Sequence, residues 1–244
     1  MTHLFRDQGL LRENIFEPLP GVYQITYRAV NTLLIAEQEM TLVDAGFRAG
    51  VPRIMDLLAR IGRKPAELRM IVLTHNHVDH IGGLRELVKL TGAKVACHRA
   101  DIYDLQGHMP YPHALDRVLE FRPLRPLRPR LSVRAAEVDI QLAGGEVLPI
   151  LGGTEVIHVP GHTPGSVCLY SQQGRLLVVG DALVRRNLAI YFPHESVSTD
   201  RPLAVQSAHK LAGLAFDTIC FGHGPPITSN AQSLLQACLN RRRR

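Results

Sequence analysis

Along the first third of the chain, apolar residues come in short, β-branched runs separated by turn-like breaks. VYQITY (22–27), VNTLLIA (30–36) and MTLVDAG (40–46) predict three strands. The period then changes. In VPRIMDLLARI (51–61), Ile54, Leu57, Leu58 and Ile61 recur at helical spacing, and Gly62 and Pro65 end the helix. LRMIVL (68–73) is a continuous apolar run, which predicts a strand covered on both faces. A helical pattern over 82–90 and a strand AKVACH (93–98) follow.

The second half repeats the theme. TEVIHV (154–159), SVCLYS (166–171), RLLVVG (175–180) and DTICF (217–221) predict strands, and helices are expected over roughly 202–212 and 231–240. Two similar halves without a clear sequence repeat predict two sheets packed face to face with helices outside. FRPLRPLRPRL (121–131) stands apart. Each residue before proline is pushed towards extended geometry, and polyproline II turns once every three residues. Arg122, Arg125 and Arg128 then share one edge. That edge is either the wet side of a stiff connector or a rim that attracts an anionic substrate.

Composition narrows the function classes. The chain has 244 residues, 45% apolar and 20% charged, the balance of an ordinary globular protein, read here as a single domain over 1–244. Residues 104–134 form its variable Arg/Pro-rich connector and 241–244 a basic tail. The net charge is +6, but Arg241 to Arg244 supply four of the 28 basic residues, so nucleic acid is not the expected partner. No apolar stretch has the length of a membrane span, and the polar start MTHLFRDQGLLREN does not resemble a secretory signal. The cytoplasm is the expected location. Cys97, Cys168, Cys220 and Cys238 lie far apart, without a CxxC pair, and are read as reduced thiols.

The chemistry is concentrated in THNHVDH (74–80), where three histidines and an aspartate follow the apolar run directly. Imidazole and carboxylate are costly to bury without polar partners, and they are good metal ligands. In an extended stretch His75 and His77 point the same way, and a turn before the Gly82–Gly83 helix lets Asp79 and His80 face a second position. Three more ligand-type residues stand beside glycine at strand ends: His162 in VIHVPGHTPGS, Asp181 in LLVVGDAL and His223 in ICFGHGPP. Strand ends feeding loops are where sites are built.

These motifs resemble the metallo-β-lactamase-fold hydrolases, including their glyoxalase II-like and lactonase-like branches. THNHVDH matches the T-H-x-H-x-D-H signature at every fixed position, and PGHTPGS, GDAL and GHG follow in the family's order. The resemblance runs from LVDAG (42–46) to GHGPP (222–226). It implies an α+β fold, a four-layer αββα sandwich of two mixed sheets with outer helices. It implies two divalent ions, zinc first, with iron or manganese as alternatives. His75, His77 and His162 would hold one ion; Asp79, His80 and His223 would hold the other; Asp181 would bridge them. Asp44 resembles a supporting residue that hydrogen-bonds a ligand, though an Asp before Ala-Gly also makes turns.

The implied activity is hydrolysis of an ester, thioester or lactone carbonyl of a small molecule by a metal-bridging hydroxide, with Asp79 and Asp181 as catalytic carboxylates. Tyr191 is a candidate donor to the substrate carbonyl, with packing in the core or a lid as the other reading. Two alternatives share the scaffold: a mononuclear iron dioxygenase acting on persulfides, and a nucleic-acid processing hydrolase, for which no binding block is evident. A homo-oligomer is compatible with the sequence. His98, His108, His113, His158, His194 and His209 have no motif partner that demands them as ligands. Substrate preference is expected in 104–134 and 183–200, the stretches that match the family least.

Overall fold

The computed structural model describes residues 15–105, 136–187 and 189–240. The Arg122/Arg125/Arg128 edge and the 241–244 tail lie outside the described residues. The chain builds two large sheets. In the first, strands β1 (Ile15–Leu19), β2 (Val22–Tyr27), β3 (Val30–Ile35), β4 (Met40–Val43), β5 (Leu68–Val72), β6 (Lys94–His98) and β7 (Ile140–Leu142) lie side by side in chain order. The pairs from β1 to β4 are antiparallel and those from β4 to β7 parallel.

The second sheet holds β8 (Val147–Leu148), β9 (Thr154–His158), β10 (Val167–Ser171) and β11 (Leu176–Val178) as an antiparallel run, with β14 (Thr218–Cys220) parallel to β11. A separate hairpin, β12 (Val184–Arg186) and β13 (Ala189–Tyr191), stands apart from both sheets. Six α-helices complete the described chain: α1 (Val51–Arg60), α2 (Val78–Ile81), α3 (Leu84–Thr91), α4 (Arg99–Leu105), α5 (Arg201–Ala208) and α6 (Ala231–Asn240).

The apolar runs are continuous because many strands are buried on both faces. In β3, Leu33 and Ile35 join the layer between the sheets, while Leu34 faces α1 with Ile54, Leu57 and Leu58. In β11, Leu176 and Val178 point into the same central layer, and Leu177 packs outward with Leu235 and Leu239 of α6. Three apolar layers between four structural layers give the expected αββα sandwich. Alternation along a strand sends successive side chains to opposite faces, so a strand with cover on both sides reads as unbroken hydrophobicity.

Local chemistry sets the helix ends. Proline stands in the first turn of α1, where its missing N–H is no loss. Gly92 caps α3 in the left-handed conformation at φ 71°. The Asp200 side chain accepts from Leu203 N at 2.9 Å and starts α5. The expected helix over 82–90 is α3, and a short separate helix, α2, precedes it. The break lies where the chain is pressed against the exit of β4: a Cβ on Gly83 would stand 2.5 Å from the Ala45 carbonyl oxygen. The expected helix over 202–212 is α through Ala208 and then turns 3₁₀ over His209–Gly213. Strands β1, β7, β8, β12 and β13 are too short or too irregular in pattern to be read from periodicity. No described helix is long and apolar enough to cross a membrane.

Candidate metal centre

Five loops at one edge of the two sheets bring the ligand-type residues together. The stretch between β5 and α2 carries His75 and His77, and the short helix α2 carries Asp79 and His80. The loops after β9, β11 and β14 carry His162, Asp181 and His223, and the loop after β4 carries Asp44. Three groups of side-chain ligand atoms lie within 4.8 Å of one another: His75, His77 and His162; His75, His80 and Asp181; Asp79, His80 and His223. The rings of His75, His77 and His162 have centroids 4.5–4.8 Å apart. Asp181 sits between the groups, with its carboxylate 3.6 Å from His162 Nε2, 3.5 Å from His80 Nε2 and 3.2 Å from His223 Nε2.

Hydrogen bonds behind the rings aim them. Asp44 accepts from Thr74 N and Thr74 Oγ1, both at 2.8 Å, and lies 2.8 Å from His80 Nδ1. With the Thr74 hydroxyl donating to Asp44, its oxygen is left to accept from His75 Nδ1 at 3.1 Å. His223 Nδ1 donates to the Ala29 carbonyl at 2.9 Å. In each case Nδ1 is engaged, and Nε2 is turned to the centre, the arrangement metal-binding histidines require. Ala29 and Arg28 form the β2–β3 turn with positive φ of 66° and 51°, and Asp44 has φ 61°. Non-glycine residues in this region cost free energy, and here they border the site.

The second sheet is tied to this frame through its loops. Asn31 Nδ2 donates to the carbonyls of Phe221 at 2.9 Å and Gly224 at 2.7 Å, bracketing His223. Buried Asp101 of α4 accepts from Thr163 Oγ1 at 2.8 Å and Gly165 N at 2.6 Å, which holds the loop of His162. Gly222 is required by space: a Cβ there would fall 2.1 Å from Asp181 Oδ1.

The donor set passes a direct test for a metal ion. His75 Nε2, His80 Nε2, both ring nitrogens of His162 and Asp181 Oδ1 are buried without a hydrogen-bond partner. A native interior seldom leaves such groups unsatisfied. Four of these atoms, His75 Nε2, His80 Nε2, His162 Nε2 and Asp181 Oδ1, belong to the cluster and fit cation coordination, and imidazole with carboxylate suits zinc, iron or manganese.

Without an ion the two groups carry different charge. Burial, reinforced by neighbouring imidazoles, holds His75 well below its ordinary value, and burial brings His77 to about 3 and His162 to about 4. At neutral pH this trio is uncharged. Burial also pulls on His80, but Asp181, Asp44 and Asp79 outweigh it and raise His80 to about 9. His223 is raised to about 11 because hydrogen bonds to Asp181 and Asp79 outweigh its burial. Burial works against ionisation of Asp181 as well, yet His80, His223 and His162 together keep its carboxyl below the usual range.

The cluster floors a cleft of about 620 Å³. Its walls include Val184, Arg185 and Arg186 of β12, and Pro193, His194, Ser196 and Val197. Tyr191 lies elsewhere: it pairs with Val184 across the hairpin, its side chain is exposed, and it is not among the residues that line the cleft. His158 Nε2 donates to the Pro164 carbonyl at 2.9 Å, and its ring stacks on His98 rather than joining the cluster. Sequence reasoning assigned no role to Asp101, set His194 aside for want of a motif partner, and named the stretch 183–200 for substrate preference without singling out Arg185 or Arg186. The first stands at a strand-to-helix junction, and the arginine pair follows GDALV directly; neither is a metal ligand type in a motif.

A two-sheet sandwich with this histidine–aspartate edge defines a class of metal-dependent hydrolases. Residues 25–223 match the metallo-beta-lactamase superfamily, and the chain belongs to it. The probable metallo-hydrolase YflN of Bacillus subtilis is 30% identical over 244 residues, covering 93% of this chain and 92% of that protein. A hydroxyacylglutathione hydrolase of Cereibacter sphaeroides is 32% identical over 174 residues, which cover 71% of this chain and 55% of that protein. Among solved structures, the metallo-beta-lactamase family protein TTHA1429 of Thermus thermophilus has a TM-score of 0.71 at 25% identity, over 92% of this chain and 80% of that one.

Proposed function

We propose that this chain is a dinuclear metal-dependent hydrolase of a small thioester or ester, with lactones as the cyclic form of the same bond. The observation that carries the reading is the shared carboxylate: Asp181 stands within 3.6 Å of ring nitrogens from both histidine groups. His75, His77 and His162 form one ligand set, Asp79, His80 and His223 the other, and zinc is the expected ion. The donor set and its orphaned nitrogens support two positions. Thioester chemistry draws support from the relative named for hydroxyacylglutathione.

Two bound ions supply a nucleophile at neutral pH and polarise the substrate oxygen. The chain itself does the rest. Asp44, Thr74 and the Ala29 carbonyl hold three imidazoles in one orientation, so that no side chain must reorganise during reaction. Asp79 is the more open of the two cluster carboxylates, with its side chain 24% exposed against 9% for Asp181. Val78, Val184 and Val197 make part of the cleft wall apolar and limit water around the acyl group. The four free, buried cysteines fit a reducing cytoplasm.

Metal content per chain tests the reading, measured by plasma mass spectrometry on protein purified without chelator or added metal. Two equivalents of divalent metal, with hydrolysis of at least one thioester, ester or lactone in a panel, are expected. One equivalent of iron with oxygen uptake on glutathione persulfide would sink it.

A further inference from the structure

The two adjacent arginines of β12 differ in what they do. Arg185 is committed to the fold: its Nη1 donates to the carbonyls of Pro225 and Pro226, and its backbone N donates to the His223 carbonyl at 3.2 Å. It clasps the hairpin to the loop of His223. Arg186 makes no hydrogen bond or ion pair among the described residues, is exposed, and lines the same cleft as His77, Asp79, Asp181 and His223. Neither arginine pairs with Asp79 or Asp181, whose carboxylates contact the histidines instead. Among the described residues, the acidic ones lining the cleft, Asp79 and Asp181, are therefore engaged in the ligand cluster. Holding a guanidinium in a concave site without a counter-charge leaves unmet demand for an anion, since guanidinium binds carboxylate and phosphate through two parallel N–H groups.

We propose that the substrate carries an anionic group, carboxylate or phosphate, tethered to its scissile carbonyl, and that Arg186 is the residue that reads it. This rests on the hydrolase reading above and names the substrate class for that site. His194 and Ser196 stand on the cleft wall too, but His194 Nδ1 and Ser196 Oγ bond to each other at 2.8 Å. Among the described residues, Arg186 is thus the cleft cation whose side chain makes no hydrogen bond or ion pair.

The test compares matched thioesters on metal-loaded protein. One set has a neutral leaving thiol, N-acetylcysteamine; a second has 3-mercaptopropanoate; a third has a phosphorylated pantetheine. The wild type is expected to favour one or both anionic leaving groups in kcat/KM by about tenfold or more. The preference should weaken with salt, because an exposed charge is screened. Arg186→Gln should reduce the anionic-to-neutral ratio by about tenfold, chiefly through KM; which anion loses more identifies carboxylate or phosphate as the partner. No anionic preference in the wild type, or a preference undiminished in Arg186→Gln, overturns the proposal. If none of these thioesters is cleaved, the hydrolase reading is judged separately on the ester and lactone panel. The anion subsite is then read by calorimetry with 3-(methylthio)propanoate, which has no scissile bond: equal affinity for wild type and Arg186→Gln overturns it, and weaker binding by the variant supports it.

Discussion

The two histidine groups are built from the same residue types and share Asp181, yet they differ in charge and in support. The group of His75, His77 and His162 is neutral at pH 7 because burial dominates. The group of Asp79, His80 and His223 holds protons because carboxylates surround its imidazoles. Burial is deep for His75, His80 and His162 and lighter for His223, whose side chain is 31% exposed. What separates them is how many acidic neighbours each ring meets, so the position of Asp44, Asp79 and Asp181 sets the behaviour of the centre more than the histidines themselves.

Four changes would break or sharpen that contrast. The largest effect is expected at Asp181, which serves both groups. Asp181→Ala should lower hydrolysis more than about a thousandfold, the scale of losing several kcal/mol of charge stabilisation. Metal analysis of the same variant should find both positions depleted; retention of two ions would refute a shared role.

Asp44 touches His80 of the second group directly and reaches His75 of the trio only through the Thr74 hydroxyl. Asp44→Ala should weaken metal affinity of the second group by about 10- to 100-fold while the trio keeps its ion. Competition with a chelator, followed through two separate release phases, distinguishes the positions, and equal weakening of both would contradict the contrast.

Protonation offers a third probe. His80 and His223 must lose their protons to accept a metal, whereas the trio has none to lose at pH 7. Metal affinity of the second group should rise as pH climbs towards about 9 and then about 11, and that of the first should fall only as pH drops towards about 4. Calorimetry of metal binding in buffers of different ionisation enthalpy should find about two protons released for the second group and none for the first.

The smallest effect belongs to Asp101, which holds the His162 loop without touching a ring. Asp101→Asn keeps the volume and one acceptor, and should weaken metal binding by the trio only about tenfold, the scale of one charge-assisted hydrogen bond. The second group should be unaffected in the same titration.

Much of this was legible in the residues. Strands β2 to β6, β9 to β11 and β14 follow from apolar runs, and α1 and α6 from helical spacing, because each is stabilised by a pattern contained within its own segment. The members of the cluster are legible for the same reason: ligand types beside glycine at strand ends do not suit a core. The hairpin β12–β13 was not legible. Its strands are three residues each, too short for a period to show, and nothing in the motifs singled out Arg185 or Arg186. Tyr191 drew notice as the aromatic nearest GDAL, but the hairpin's pairing leaves it exposed, outside the residues that line the cleft, and puts the arginines on the cleft wall.

The amino-acid sequence by itself determined the two sheets, the ligand types and their order, because periodicity and side-chain chemistry act over a few neighbouring residues. Only the tertiary structure decided which atoms meet. The Ala29 carbonyl reaches His223 Nδ1 across 194 positions, and Asp44 reaches His80 across 36. Such pairings arise when the two sheets close on their shared apolar layer and bring the loops of one edge together. That closure is what makes one set of histidines neutral and the other charged, since a ring's protonation depends on the carboxylates folded against it and on the water excluded around it.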